Sequence, residues 1–333
     1  MFVVQSYDLA VVLCFMTIVC WGSWANTQKL AGKEWRFELF YWDYVLGVLL
    51  ISLIFAMTMG SFGEAGRSFG EDLAQSRFEN VFSAFLGGVV FNAANILLVA
   101  AIAVAGMAVA FPVGIGLALA LGVIVNYVAT PVGDAFFLFF GVFLVVLAIV
   151  LDALAYRRLQ SQAAGVSRKG LLLSLACGVL MGFFYRFVAA SMSTDFSNLE
   201  PGKLGPYAAV VCFSLGLLVS NFGLNTLIMK RPVEGEPVDY RQYLRGTNKI
   251  HAVGLLGGAI WGVGMMLSIL ASGQAGFAIS YGLGQGATMI AAVWGVFIWK
   301  EFKSAPGGTN KLLALMFVFY FVGLSLVVAA KVI

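Results

Sequence analysis

The chain has 333 residues, 61% of them hydrophobic and 11% charged, with a mean hydropathy of +0.95 and a net charge of +4. A soluble domain carries roughly 25% charged residues to cover its surface, so this composition excludes a soluble enzyme, a disordered chain and a nucleic-acid binder. What remains is an all-α integral membrane protein whose single transmembrane domain spans residues 1–333, with the lipid bilayer as its first partner.

The positions of the charges divide the chain into spans. A helix crosses the hydrocarbon core in about 20 residues. Ten helices are predicted, near 8–30, 38–60, 80–104, 107–127, 133–156, 169–191, 204–229, 250–270, 275–299 and 311–331. Two runs without Asp, Glu, Lys or Arg, between Glu79 and Asp134 and between Lys249 and Lys300, are 54 and 50 residues long. Each therefore holds two crossings, with turns near Ala105-Gly106 and Ser272-Gly273. The runs are continuous, whereas a transmembrane barrel would alternate in segments of about ten residues.

The first helix has no basic residue ahead of it and reads as a retained span rather than a signal peptide. It carries Trp24 and Asn26. The second opens on Glu38, a helix N-terminal acid, followed by Tyr41 and Asp43. Asp43 is either a partly desolvated carboxyl able to load a proton or an acid complementing the positive end of the helix. The third helix carries Asn92 and Asn95. In the fourth, Phe111-Pro112-Val113-Gly114 loses a backbone hydrogen bond at the proline. The sixth holds Tyr185 and Arg186, the one basic residue well inside a span. Arg186 is placed to bind substrate oxygens, to pair with Asp43 or to snorkel outward. Asn221 and Asn225 share one face of the seventh helix, and Tyr281 and Gln285 share one face of the ninth. Amides inside a membrane either hold helices together or bind a polar solute. Trp24, Tyr41, Tyr185 and Trp261 are packing aromatics or stacking surfaces for a ring. His251, at the edge of the eighth helix, has no metal partner in sequence and reads as structural. The segment from Lys230 to Lys249 reads as a solvated connection. Cys14, Cys20, Cys177 and Cys212 fall within spans at spacings that suit neither disulfides nor zinc.

Fifteen of the 20 Lys and Arg fall in the odd-numbered loops or at their edges. Arg67, Arg77, Lys203 and Lys331 lie on the other side, and Arg186 is intramembrane. The positive-inside rule puts the odd loops in the cytoplasm and both termini outside, in a multi-pass protein of the cell membrane.

The third and fourth helices align with the eighth and ninth at an ungapped offset of 170. Gly87-Gly88 falls on Gly257-Gly258, Phe91 on Trp261, Ala105-Gly106 on Ala275-Gly276, and Phe111 on Tyr281. The first and sixth align at 160, pairing Gly22 with Gly182 and Asn26 with Arg186, which places two polar groups at matched depth. Two repeats of five helices, about 1–158 and 168–333, follow, inverted because five is odd. Inverted repeats are a signature of secondary transporters with a site near the midplane between the halves.

Trp21-Gly22-Ser23-Trp24, Tyr41-Trp42-Asp43-Tyr44, Gly87-Gly88 through Asn95, Ala105-Gly106-Met107-Ala108 and Trp294-Gly295-Val296 through Glu301 give the whole chain a further identity. It resembles the drug/metabolite transporter superfamily, in the branch of glucose/ribose-type uptake proteins, rhamnose–proton symporters and ureide permeases. The ureide-permease pattern is nearest at the second and ninth helices. The plant members carry a longer central loop than this chain. The resemblance implies ten helices, outward termini and proton-coupled uptake of a small polar solute, sugar-like or ureide-like. Asp43 would then carry the proton. Trp24, Asn26, Tyr41, Asn92, Asn95, Tyr185, Arg186, Asn221, Asn225, Trp261, Tyr281 and Gln285 would supply the solute site. No cofactor is implied beyond the proton gradient. Export of drugs or metabolites on the same fold is the alternative, and a non-transporting receptor is a third. The sequence sets no oligomeric state, and a monomer would suffice. No cluster of His, Cys or paired carboxylates within the spans supports catalysis.

Overall fold

Long apolar runs bounded by charges become helices because lipid offers no partner for a bare N–H or C=O. The computed structural model describes residues 1–32, 35–159 and 167–333. Lys33 of the first basic loop, and residues 160–166 of the connection between the halves, lie outside the described residues. Among the described residues ten helices are long and apolar enough to span a bilayer: α1 (Tyr7–Ala31), α2 (Phe37–Met57), α3 (Phe78–Ala105), α4 (Met107–Ala129), α5 (Ala135–Leu159), α6 (Arg168–Ser191), α7 (Pro206–Lys230), α8 (Asn248–Ala275), α9 (Phe277–Ile298) and α10 (Thr309–Ala329). Among the described residues there is no β-strand, and only Met192 and Leu204 form an isolated bridge. Large apolar side chains such as Phe136, Phe140, Phe143 and Phe321 are exposed outward, as a lipid-facing surface requires.

The packing follows one exchange rule, α1 with α6, α2 with α7, α3 with α8, α4 with α9 and α5 with α10. α3 packs on α6 and α7, and α8 packs on α1 and α2. α4 packs on α6, and α9 on α1. The contacts of α5 with α10 and of α4 with α9 map onto themselves. This is the pattern that inverted five-helix repeats require. The repeat also runs through α2 and α7 at an offset of 169, a match that composition alone had hidden. A Cβ on Gly88 of α3 would lie 1.9 Å from the Phe213 carbonyl of α7, and one on Gly258 of α8 would lie 1.8 Å from the Tyr44 carbonyl of α2. The reciprocal glycines are Gly216, against Phe85, and Gly47, against Leu255. Each pair therefore brings two backbones together where no side chain fits.

The turn between α3 and α4 falls at Gly106 and that between α8 and α9 at Gly276, both with left-handed φ, 74° and 83°. The second turn lies three residues beyond the predicted Ser272-Gly273. Those two are small residues inside α8, and only a glycine able to take positive φ makes the corner. α9 is not one continuous helix. It runs Phe277–Gly284, breaks at Gln285-Gly286, resumes at Ala287–Val293 and ends in a π-turn at Trp294–Ile298. α4 carries a π-turn at Phe111–Ile115, around Pro112. The weak spot predicted at Pro112 is thus real, and its repeat counterpart α9 breaks just after Tyr281-Gly282-Leu283-Gly284.

Both termini lie on the face opposite the basic loops. The N-terminal amine donates to the Ala65 carbonyl at 2.7 Å, and the Asp134 N–H donates to the Ala330 carbonyl at 2.6 Å. That face is sealed. Met1, Val4, Met192, Phe196 and Leu204 are buried there. A polar clasp holds the seal together. Asp72, in the short helix Phe69–Gln75, accepts from the Gly205 N–H at 2.7 Å and from Arg67 Nε at 3.1 Å. Arg67 also donates to the Lys203 carbonyl at 2.9 Å. Burial pushes the Asp72 carboxyl above its ordinary pKa, against the opposing pull of the Gly205 N–H and of Arg67. Asp72→Ala leaves the Gly205 N–H without its acceptor and takes from Arg67 its carboxylate partner, leaving it only backbone carbonyls. It is expected to destabilise the protein by about 2 kcal/mol, the usual scale for a lost hydrogen bond to a charged group. Thermal unfolding of the purified protein checks this, and an unchanged midpoint would remove the clasp from the account.

Candidate functional site: a cavity between the repeats

A cavity of about 270 Å³ lies between the halves, walled by α1, α2, α3, α4, α6, α8 and α9. Its lining runs from mid-span, at Phe91, Met181, Phe184 and Trp261, to the basic-side ends at Gln28, Phe37 and Ile102. The opposite face is closed by the seal around Phe196, which packs over Gly273. The cavity therefore extends toward the basic side and is closed on the other.

One wall is aromatic. Trp21 stacks on Trp261 at 5.6 Å and 13°, and Phe91 lies 4.5 Å from Trp261 and 5.0 Å from Phe184. Trp21 is fixed by donating its indole N–H to the Trp261 carbonyl at 3.1 Å. Among the described residues the indole N–H groups of Trp24 and Trp261 donate to no protein acceptor, and both residues line the cavity. The polar complement is small. Gln285 stands at the break in α9, where the interrupted helix turns its side chain into the cavity. Asn95 comes from α3 and donates to the Tyr41 hydroxyl at 3.1 Å, so Tyr41 is fully buried behind it and orients it. Amides and indole N–H groups over a flat aromatic wall suit a planar solute rich in carbonyls and N–H groups.

A second cavity of about 170 Å³ adjoins the first, and the two share Gly22, Ala25, Phe111, Thr288 and Ala291. It lies nearer the basic face and is lined by Asn26, Lys29, Asp152, Tyr156, Trp294, Trp299 and Glu301. Asn26 accepts from the Trp299 indole at 2.6 Å. Lys29 and Glu301 form an ion pair at 2.8 Å, and Tyr156 donates to the other Glu301 oxygen at 2.8 Å. Burial works against the Glu301 charge, but hydrogen bonds from Lys29 and Tyr156 and the Lys29 charge hold the carboxyl below its ordinary pKa.

Asp43 is 2% exposed near the basic-side start of α2, outside both cavities. It accepts from the Tyr243 hydroxyl at 2.7 Å and pairs with His251 Nδ1 at 2.9 Å. Trp35 packs edge-on against His251 and stacks near Tyr243. Asp43 thus pairs with His251 and not with Arg186. His251, read from sequence as merely structural, is its partner. The segment after Lys230, read as a solvated connection, folds a short helix at Tyr240–Leu244 under an Asp239–Gln242 capping box and delivers Tyr243. One histidine and one tyrosine, each far along the chain from Asp43, gave no local signal.

The remaining predicted residues divide by location. Trp24, Asn95, Trp261 and Gln285 line the main cavity, and Asn26 lines the adjoining one. Tyr185 and Tyr281 are fully buried beside the cavity and brace it. Tyr185 contacts the Ser268 and Ser280 hydroxyls at 3.2 and 3.5 Å, and Tyr281 donates to the Ala118 and Met181 carbonyls. Asn92 donates to Ser220 and Asn225 donates to the Glu38 carbonyl, tying α7 to α3 and α2. Asn221 is fully buried with neither polar atom paired among the described residues. These three amides lie outside both cavities. Arg186 is half-buried toward the sealed end of α6, so it does not share the depth of Asn26. An inverted repeat sets equivalent residues at mirrored depths, not matched ones. Sequence reasoning missed Asp152, Gln28 and Phe184, and it used Trp21 only as part of a motif and not as a site residue.

The ureide permease family profile matches residues 40–169 and 161–330. Ureide permease 1 of Arabidopsis thaliana is 21% identical over 99% of both chains. Ureide permease 5 of the same plant is 22% identical over 99% of this chain and 96% of its own. A solved crystal structure of a protein shares the fold at a TM-score of 0.59, covering 96% of both chains at 17% identity.

Proposed function

The chain belongs to the ureide permease family, and on that premise we propose that it carries a ureide-class solute into the cell with protons, by alternating access. It is a multi-pass membrane transporter and not an enzyme. The observation that supports the solute class is the cavity at the broken α9. Gln285, Asn95, Trp24 and Trp261 line it beside the Trp21–Trp261 stack, and among the described residues the indole N–H groups of Trp24 and Trp261 donate to no protein acceptor. A ureide is flat, with C=O and N–H groups in its plane, and matches that set. A sugar would present hydroxyls all round to a largely apolar surface. The Lys and Arg distribution supports a cytoplasmic basic side and outward termini, in the cell membrane. On that orientation the structure corresponds to the inward-open state, and rocking of the two repeats would expose the same site outward.

Asp43 carries a proton in this reading. Its pairing with His251 and Tyr243 joins the start of α2 to the start of α8, so neutralising it loosens one contact between the repeats on the basic side. In liposomes with an imposed proton gradient, Asp43→Asn is expected to lose uphill accumulation of allantoin, a cyclic ureide, while keeping exchange across the membrane. Wild-type uphill transport by this variant removes Asp43 from the coupling. A thermal-shift comparison of allantoin, uracil and glucose tests the solute class. Stabilisation by glucose alone would replace the ureide with a sugar.

A further inference from the structure

The adjoining cavity contains an imbalance of charge. Among the described residues three charged side chains line it: Asp152 and Glu301 are acidic, and Lys29 is basic. Lys29 is already paired to Glu301 at 2.8 Å. Asp152 is 6% exposed, and its Oδ1 has no hydrogen-bond partner among the described residues. Apart from Lys29 and Glu301, the titratable groups around it among the described residues are Tyr156, one turn along the same face of α5, and Tyr320 of α10. Both hydroxyls are committed elsewhere, Tyr156 to Glu301 and Tyr320 to Thr288 at 2.7 Å. The neighbouring stretch of α4, Met107–Ile115, holds no ionisable residue. A bare carboxylate here would be a buried, uncompensated charge, which is strongly unfavourable.

From this charge count, and resting on the proton-coupled reading above, we infer that Asp152 is a second proton site, facing the solute path and distinct from Asp43. One positive charge is missing, and a proton on the free Asp152 oxygen supplies it. The two cavities share a wall, so a solute against Gly22, Ala25 and Thr288 stands beside Asp152. Asp43 has both oxygens engaged and lines neither cavity. Solute occupancy therefore acts on the Asp152 proton and not directly on that of Asp43. The Tyr156–Glu301–Lys29 chain connects this corner to the basic face, tying α5, the end of α9 and α1 together. When that side closes, it closes around a protonated Asp152.

Infrared difference spectroscopy of the solute-free protein through a pH change reads the carboxyl directly, whatever the solute. The wild type is expected to show a protonated-carboxyl band that Asp152→Asn lacks. An unchanged band in that variant overturns the assignment. In liposomes, Asp152→Asn is expected to lose uphill allantoin accumulation and keep exchange, and the pH dependence of allantoin binding is expected to flatten in it but to persist in Asp43→Asn. Uphill transport at the wild-type level by Asp152→Asn overturns the inference, as does a requirement for sodium at fixed pH. Should Asp152→Asn fail to fold, Asp152→Glu carries the test. It is expected to retain coupling with a displaced pH profile, and an undisplaced profile counts against the site. Absence of allantoin transport by the wild type would sink the solute reading and leave the infrared result standing.

Discussion

Alanine at Gly88 or at Gly258 is expected to cost the protein most of its stability, and by similar amounts at the two positions. Each added methyl would stand less than 2 Å from a carbonyl oxygen of the facing helix, Phe213 in one case and Tyr44 in the other. Backbone cannot rotate away as a side chain tip can. The helices must separate, and the contacts around them are lost together. Overpacking of a tight core costs about 1–3 kcal/mol and occasionally more, and backbone contact belongs at the top of that range. Gly223→Ala is the control. It lies on the lipid-facing side of α7 with nothing within 4 Å of its Cβ position. There the higher helix propensity of alanine is expected to be neutral or to add up to about 1 kcal/mol. Thermal unfolding of the three variants, measured in parallel, decides the point. Equal midpoints for Gly88→Ala and wild type would mean that the α3–α7 crossing is looser than described. A large loss at one glycine with none at the other would break the symmetry of the repeats.

The second large effect concerns solute affinity. Asn95→Leu and Gln285→Leu remove two of the three amides that line the main cavity, with little change of shape. Each is expected to weaken allantoin binding about tenfold, the worth of roughly 1.4 kcal/mol, and the pair together about a hundredfold. Asn92→Leu and Asn221→Leu make the same chemical change outside the cavity. They are expected to leave affinity unchanged. Asn221→Leu is further expected to raise stability, because it replaces a fully buried amide with no partner among the described residues. Calorimetric titration separates the two groups. Equal losses from all four would mean that the solute site lies deeper along the α3–α7 contact.

The expectations that succeeded were those carried by repetition along the chain. Ten spans follow from the spacing of charges, because in lipid one unpaired charge outweighs many apolar contacts. The inverted repeat follows from paired glycines such as Gly88 and Gly258, because close backbone approach tolerates no substitute. The broken helix was legible in part, since Gly282, Gly284 and Gly286 announce a weak stretch but not which residue it exposes. Partnerships between distant residues were not legible. Asp43 meets His251 and Tyr243 only because α2, α8 and the Tyr240–Leu244 helix converge on the basic side. Asp152 gave no sign of a site, because sequence shows how far apart charges lie along the chain and not which of them share a cavity. The amides illustrate the same limit. Asn95 and Asn92 lie three residues apart on α3, yet one reaches the cavity and the other ties α3 to α7.

The central claim is uphill transport of a ureide on a proton gradient. The most direct test is the accumulation of labelled allantoin by the wild-type protein in liposomes, with an imposed proton gradient as the only driving force. Accumulation above the external concentration is expected, collapsing when a protonophore is added. Mere equilibration, or accumulation indifferent to the protonophore, would contradict it.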